Sequence, residues 1–205
     1  MMKNFIWDFD GTLFDTYPSM TGAFRQALKD YGVEEEENAI LQFMKISAKT
    51  AMEHYKSKYK LPEGFEKEYK TYERATEAEG AIPFPYAKEI CQEIVNSGGR
   101  NFIMTHRGNS TFKYLKYYKM EELFIEIVTK HNGFKRKPDP EAYLYIVDKY
   151  ELNKEETLII GDRDFEILGG KQAGIKVCLY NTNNIIITVK PDYEIKSLKE
   201  LQQLI

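Results

Sequence analysis

Along the chain the apolar positions change rhythm twice. At the start, Phe5, Ile6, Trp7 and Phe9 form a nearly continuous apolar run, the mark of a strand buried on both faces of a sheet. From Tyr17 to Ile82 the rhythm becomes helical, with no convincing strand. Met20, Phe24, Ala27, Leu28 and Tyr31 share one face of a helix predicted over residues 18–31 and closed by Gly32. Ile40, Leu41, Phe43 and Met44 make a second stripe over 38–44. Residues 51–59 and 65–78 predict two more helices, separated by Leu61-Pro62-Glu63-Gly64. The acidic run Glu34 to Glu37 suits a helix start, where the dipole favours anions.

From Ile82 onward helical and strand patterns alternate, after a joint marked by Pro83 and Pro85. Helices are predicted at 87–97, ended by Gly98-Gly99, and at 110–118, 139–150 and 165–173. Asp139 is expected as N-cap of the third, with Pro140 at its first position. Strands are predicted at 102–104, 125–128, 157–160 and 177–180. This alternation predicts an α/β fold, a parallel sheet with helices on both faces. The helical block then reads as an insertion after the first strand, hanging over the catalytic edge of the sheet.

Composition narrows the function classes. The 205 residues suffice for one good core and a small accessory domain. A formal charge of −3 gives no sign of nucleic acid or an anionic membrane as partner, and no apolar run approaches membrane-spanning length. The first strand begins too soon after Met1 to leave room for a signal peptide. Cys91 and Cys178 lack metal-site spacing and read as buried, reduced thiols of a cytoplasmic protein.

Four predicted strand ends carry the chemistry. The first releases Asp8 and Asp10, followed by Gly11 and Thr12, into the crevice where open α/β sheets bind ligands. Asp-Gly is also common turn chemistry, so the pair alone leaves a simple turn open. The second ends at Thr105, whose hydroxyl suits a phosphate oxygen beside a helix start or a plain turn. Lys137 closes the basic triplet Lys135-Arg136-Lys137. Such triplets are usually solvated, but Pro138 fixes this one's direction at a helix entry, where an ammonium can neutralise a phosphoryl group. The last end gives Gly161-Asp162, with Asp164 and Glu166 close behind. Asp162 suits a helix cap by itself; with the other acids it suits Mg²⁺, which takes oxygen ligands and keeps several waters.

Taken in order, DFDGTLFDT, MTHRG, KRKPDP and GDRDFEILGGKQAGI resemble the four-motif signature of the haloacid dehalogenase-like hydrolases. The likeness covers essentially the whole chain and is nearest the phosphoglycolate phosphatase and β-phosphoglucomutase branch. It implies a Rossmann-like core over 1–16 and 83–205 with a small α-helical cap over 17–82. It implies Asp8 as the nucleophile that becomes an aspartyl phosphate, and Asp10 as the acid that protonates the leaving alcohol and then activates water. It implies Thr105 and Lys137 as phosphoryl-binding groups, and Mg²⁺ held by Asp8, the Asp10 backbone carbonyl and Asp162. Dehalogenases of the superfamily lack a carboxylate at the place of Asp10, since a halide leaves without a proton; the resemblance therefore implies phosphoryl transfer.

Two places depart from the pattern. Glu166 stands where an Asp is usual, within reach of metal-bound water, with Asp164 as its rival. His106 and Arg107 follow Thr105 where a small or amide residue is usual, and are candidates for substrate contact or, for His106, an exposed loop position. In the cap, Lys45 and Ser47 of FMKISAKT are weaker candidates for substrate contact. The expectation is a cytoplasmic, Mg²⁺-dependent phosphatase for a small phosphorylated metabolite, without nucleic-acid or membrane partners, as a monomer or weak homo-oligomer. The rivals are a sugar phosphomutase on the same core and a non-catalytic binding or regulatory member of the fold.

Overall fold

The computed structural model describes residues 1–76, 81–182 and 187–205. From the first strand β1 (Asn4–Trp7) the chain passes through the short β2 (Phe14–Asp15) into four helices: α1 (Tyr17–Asp30), α2 (Glu37–Ile46), α3 (Ala48–Tyr59) and α4 (Phe65–Thr76). It returns through β3 (Ile82–Pro83), which pairs with β2. Then follow α5 (Ala87–Asn96), β4 (Arg100–Met104), α6 (Ser110–Tyr117), β5 (Glu126–Val128), α7 (Glu141–Lys149), β6 (Thr157–Gly161), α8 (Asp164–Ala173), β7 (Lys176–Tyr180) and β8 (Tyr193–Ile195). Contacts divide the chain into two compact units, residues 1–14 with 83–205, and residues 15–82.

The larger unit is a six-stranded sheet in the order β5-β4-β1-β6-β7-β8 with every neighbour parallel. Strand β1 is central. Its register sets Trp7 beside Ile103 and Ile160, so three strand ends fall side by side. Side chains alternate across the sheet. Ile6, Phe102 and Ile159 pack against Ala142, Tyr143 and Ile146 of α7 and Ile167 of α8. On the other face, the Trp7 indole donates to Asn101 Oδ1 at 3.0 Å, and Asn101 Nδ2 donates to the Cys91 carbonyl of α5 at 2.9 Å. Helices therefore cover both faces, giving the expected Rossmann-like α/β fold.

The smaller unit has its own core. Phe24 meets the rings of Tyr55, Phe65 and Tyr69 at 5.5, 5.2 and 5.2 Å between centroids, and Leu28, Ile40 and Met44 belong to the same buried cluster. Helix α1 stops where Gly32, at φ +71°, lets the Val33 amide turn back to the Leu28 carbonyl at 3.0 Å. Ser47 Oγ caps α3 by accepting from the Thr50 amide at 2.9 Å.

Some boundaries differ from expectation. Helix α7 begins at Glu141, with Pro140 at the N-cap position; Asp139 stands one residue further out and accepts the Glu141 amide at 3.0 Å. Strands β2, β3 and β8 were not predicted: the first two hold two residues each, and the last is a three-residue edge strand with Ile195 buried and Glu194 exposed. The fourth cap helix was expected to reach Ala78, which lies outside the described residues. No described helix is long and apolar enough to cross a membrane, and Cys91 and Cys178 are free and buried.

Candidate active site

The site grows from the aligned strand ends of the larger unit. The Asp8 amide continues the ladder, donating to the Ile160 carbonyl at 2.8 Å, and its side chain is buried. Asp8 Oδ1 accepts from Lys137 Nζ at 2.6 Å, and the same ammonium lies 3.0 Å from Glu166 Oε1. Only 1% of the Lys137 side chain is exposed. Burial opposes its charge, but Asp8, Tyr143 and Glu166 outweigh burial and hold the ammonium above its usual range. Burial pushes Asp8 up against the pull of Lys137. Glu166 is buried too, yet Lys137 and Arg163 keep it below the usual carboxylate range.

Gly161 makes room for this arrangement. A Cβ there would stand 2.1 Å from Glu166 Cγ, so only glycine lets the glutamate fold back against the end of β6. Asp8, Asp162 and Glu166 then each offer an oxygen, all within 4.8 Å of one another. Among the described residues, Asp8 Oδ2 and Glu166 Oε2 are buried without a hydrogen-bond partner. Buried carboxylate oxygens without donors are costly unless a cation takes them. An all-oxygen set of this kind suits Mg²⁺. Asp164 is not in the group: its carboxylate accepts from the Thr188 amide at 3.1 Å and the Thr188 hydroxyl at 2.7 Å.

Arg163 joins the cluster and was missed in the sequence. Its Nη2 lies 3.5 Å from Asp8 Oδ2 and 3.3 Å from Glu166 Oε1, and its Nε 3.4 Å from Asp162 Oδ1. An arginine between two aspartates reads as an ordinary surface pair; the usable signal was its place inside GDRDFE, directly after a strand-end acid.

A second group surrounds Asp10. Arg107 donates to Asp10 Oδ1 from Nε at 2.8 Å, with Nη2 2.7 Å from the same oxygen. The guanidinium carbon lies 5.9 and 5.7 Å from the ring centroids of Phe9 and Tyr114, a placement that favours a cation. Thr105 Oγ1 accepts from the Arg107 amide at 3.0 Å, which leaves its hydroxyl hydrogen to donate elsewhere. His106 is no exposed loop residue. Its Nε2 accepts from the Lys137 backbone amide at 2.9 Å, tying the loop after β4 to the loop that carries the lysine. Burial, with Lys137, Arg136 and Arg163 nearby, pushes its imidazole down to about 3, so it is a neutral acceptor.

Lys45 and Ser47 have local work in the helical unit. Lys45 Nζ lies 5.7 Å from the Tyr17 ring centroid, and Ser47 is the α3 cap already described. The structure thus gathers Asp8, Lys137, Asp162 and Glu166 with Arg163 in one cluster, and pairs Asp10 with Arg107 beside Thr105.

Comparison with known proteins places this geometry in a family. Residues 5–180 match the model of the haloacid dehalogenase-like hydrolases. The chain is 26% identical to pyrophosphatase PpaX of Halalkalibacterium halodurans, over 98% of this chain and 95% of that protein. It is 24% identical to a phosphoglycolate phosphatase of Vibrio parahaemolyticus, covering 100% and 96%. A crystal structure of a hydrolase from Streptococcus pneumoniae TIGR4 superposes with a TM-score of 0.70 at 32% identity, covering 100% of this chain and 98% of that one. Matched from β1 through β7, with its acids gathered at the strand ends, this chain belongs to the haloacid dehalogenase-like hydrolase family.

Proposed function

We propose that this protein is a Mg²⁺-dependent phosphatase that hydrolyses a small phosphomonoester through an aspartyl phosphate on Asp8. The observation that carries the reading is Asp8 itself: one oxygen held by a buried ammonium at 2.6 Å, the other buried without a hydrogen-bond partner, in a residue that groups with Asp162 and Glu166 within 4.8 Å. The relatives named a pyrophosphatase and a phosphoglycolate phosphatase support phosphoryl chemistry over the other hydrolyses of the family.

In this reading an Asp8 oxygen forms a bond to phosphorus while the bond from phosphorus to the leaving oxygen breaks. The leaving oxygen takes the electron pair and a proton from Asp10. Water then attacks the phosphorus of the aspartyl phosphate, gives its proton to Asp10, and releases phosphate with Asp8 restored. Lys137 holds Asp8 in place and faces the negative phosphoryl oxygens, and Thr105 donates its hydroxyl hydrogen to one of them. Asp8, the Asp10 backbone carbonyl and Asp162 would hold Mg²⁺, with Glu166 beside them; bound there, the ion neutralises charge on the phosphoryl group. The protein's part is positioning and fixed charge.

The test is hydrolysis of a panel of phosphomonoesters that includes phosphoglycolate, with pyrophosphate alongside, in Mg²⁺ and in chelator. Activity should require Mg²⁺, and Asp8→Asn should lower it by at least about 10³-fold without loss of fold. Metal-independent turnover, or an Asp8→Asn variant with substantial activity, would overturn the reading.

A further inference from the structure

Two cations meet the three clustered carboxylates, and they are held differently. Lys137 is 1% exposed and lies 2.6 and 3.0 Å from its acids. Arg163 is 19% exposed, and its contacts to Asp8, Asp162 and Glu166 are 3.5, 3.4 and 3.3 Å. The lysine is locked in; the arginine makes longer contacts to the acids and is more exposed, with its guanidinium carbon 5.7 Å from the Phe165 ring centroid. The acids Arg163 touches are also the three that form the candidate metal group, and its Asp8 contact is to Oδ2, the oxygen Lys137 does not use. Three buried carboxylates against one ammonium would be strongly self-repelling. Arg163 offsets that repulsion from the side where a divalent cation would otherwise do so.

We propose that Arg163 is an internal competitor of the metal, a guanidinium that neutralises the acids in the metal-free protein and gives way when Mg²⁺ binds. This rests on the Mg²⁺ assignment made above. Arg163 then sets the metal affinity: it weakens Mg²⁺ binding by like-charge repulsion beside the acids, and without metal it keeps their mutual repulsion from destabilising the ends of the central strands. A long, always-charged side chain suits this part, since it cannot escape the competition by losing its proton.

Calorimetric titration of the full chain with Mg²⁺ alone tests the proposal, because no turnover is involved. Arg163→Gln should bind Mg²⁺ at least about fivefold more tightly than wild type, since one like charge beside the ion is gone. Arg163→Lys, which keeps the charge, should stay nearer to wild type. In thermal unfolding, Arg163→Gln should melt lower than wild type without metal and gain more from added Mg²⁺. A merely structural arginine would lower both midpoints alike and leave the gain unchanged. Equal or weaker Mg²⁺ binding by Arg163→Gln would overturn the proposal, as would Arg163→Lys tightening as much as Arg163→Gln. If wild type takes up no Mg²⁺, the metal assignment falls and this inference with it; if wild type binds and the variants match it, only the inference falls.

Discussion

Lys137 shows how far a single side chain can govern this site. Buried between Asp8 and Glu166, it is the nearer of the two cations that meet these carboxylates, and without it the looser contacts of Arg163, at 3.5 and 3.3 Å, would face both acids alone. Lys137→Met should therefore cost about 3–5 kcal/mol of folding stability in chelator, the usual penalty for breaking a buried ion pair from one side. Denaturant unfolding of both proteins checks this, and a cost below about 1 kcal/mol would show the pair is far more solvated than its burial implies. The clustered acids were legible because polar groups at the tips of apolar strands stand out from their surroundings: Asp8 after Phe5-Ile6-Trp7, Asp162 after Leu158-Ile159-Ile160-Gly161. Arg163 and the bond from Arg107 to Asp10 were not. A long side chain crosses from one strand end to the next, and the spacing of residues along a chain says nothing about where its tip comes to rest.

Between elements, the bond from the Lys137 amide to His106 ties two loops that share no regular structure. It has a pH signature. The imidazole titrates near 6.5 in an unfolded chain but is pushed down to about 3 in the fold. Between those values the unfolded chain binds a proton that the folded one refuses, so stability falls as pH drops through that window and is fully restored above it. His106→Asn keeps an acceptor for the amide and removes the titration. Comparing unfolding at about pH 7 and about pH 5, wild type should lose more stability than the variant; equal losses would mean that His106 is protonated in place. At this scale the central strands and, among the described residues, the eight α-helices were legible from periodicity, since each buries a face; the 3-10 turns, such as Leu198–Gln203, were not. The two-residue strands β2 and β3 were too short to show a period, and so was β8, a three-residue edge strand, Tyr-Glu-Ile, that pairs with β7 alone in the sheet. Asn101 was equally silent: one buried amide serves Trp7, Cys91 and Leu123, which no local pattern announces.

For the molecule as a whole, the apolar rhythm changes near Tyr17 and Ile82, and the compact units change over after Phe14 and before Pro83. The helical unit owns a core built around Phe24, while every member of the acid cluster and of the Asp10 group belongs to the sheet unit. The catalytic proposal therefore stands or falls on that unit, and above all on Asp8 as the covalent acceptor. The most direct test is to quench wild type in acid during turnover with Mg²⁺ and a good substrate from the panel, then map phosphorylation by mass spectrometry. The account predicts a phosphoryl group on Asp8 that is absent in Asp8→Asn and absent in chelator. Rapid turnover with Asp8 unmodified throughout, under conditions that preserve acyl phosphates, would contradict it.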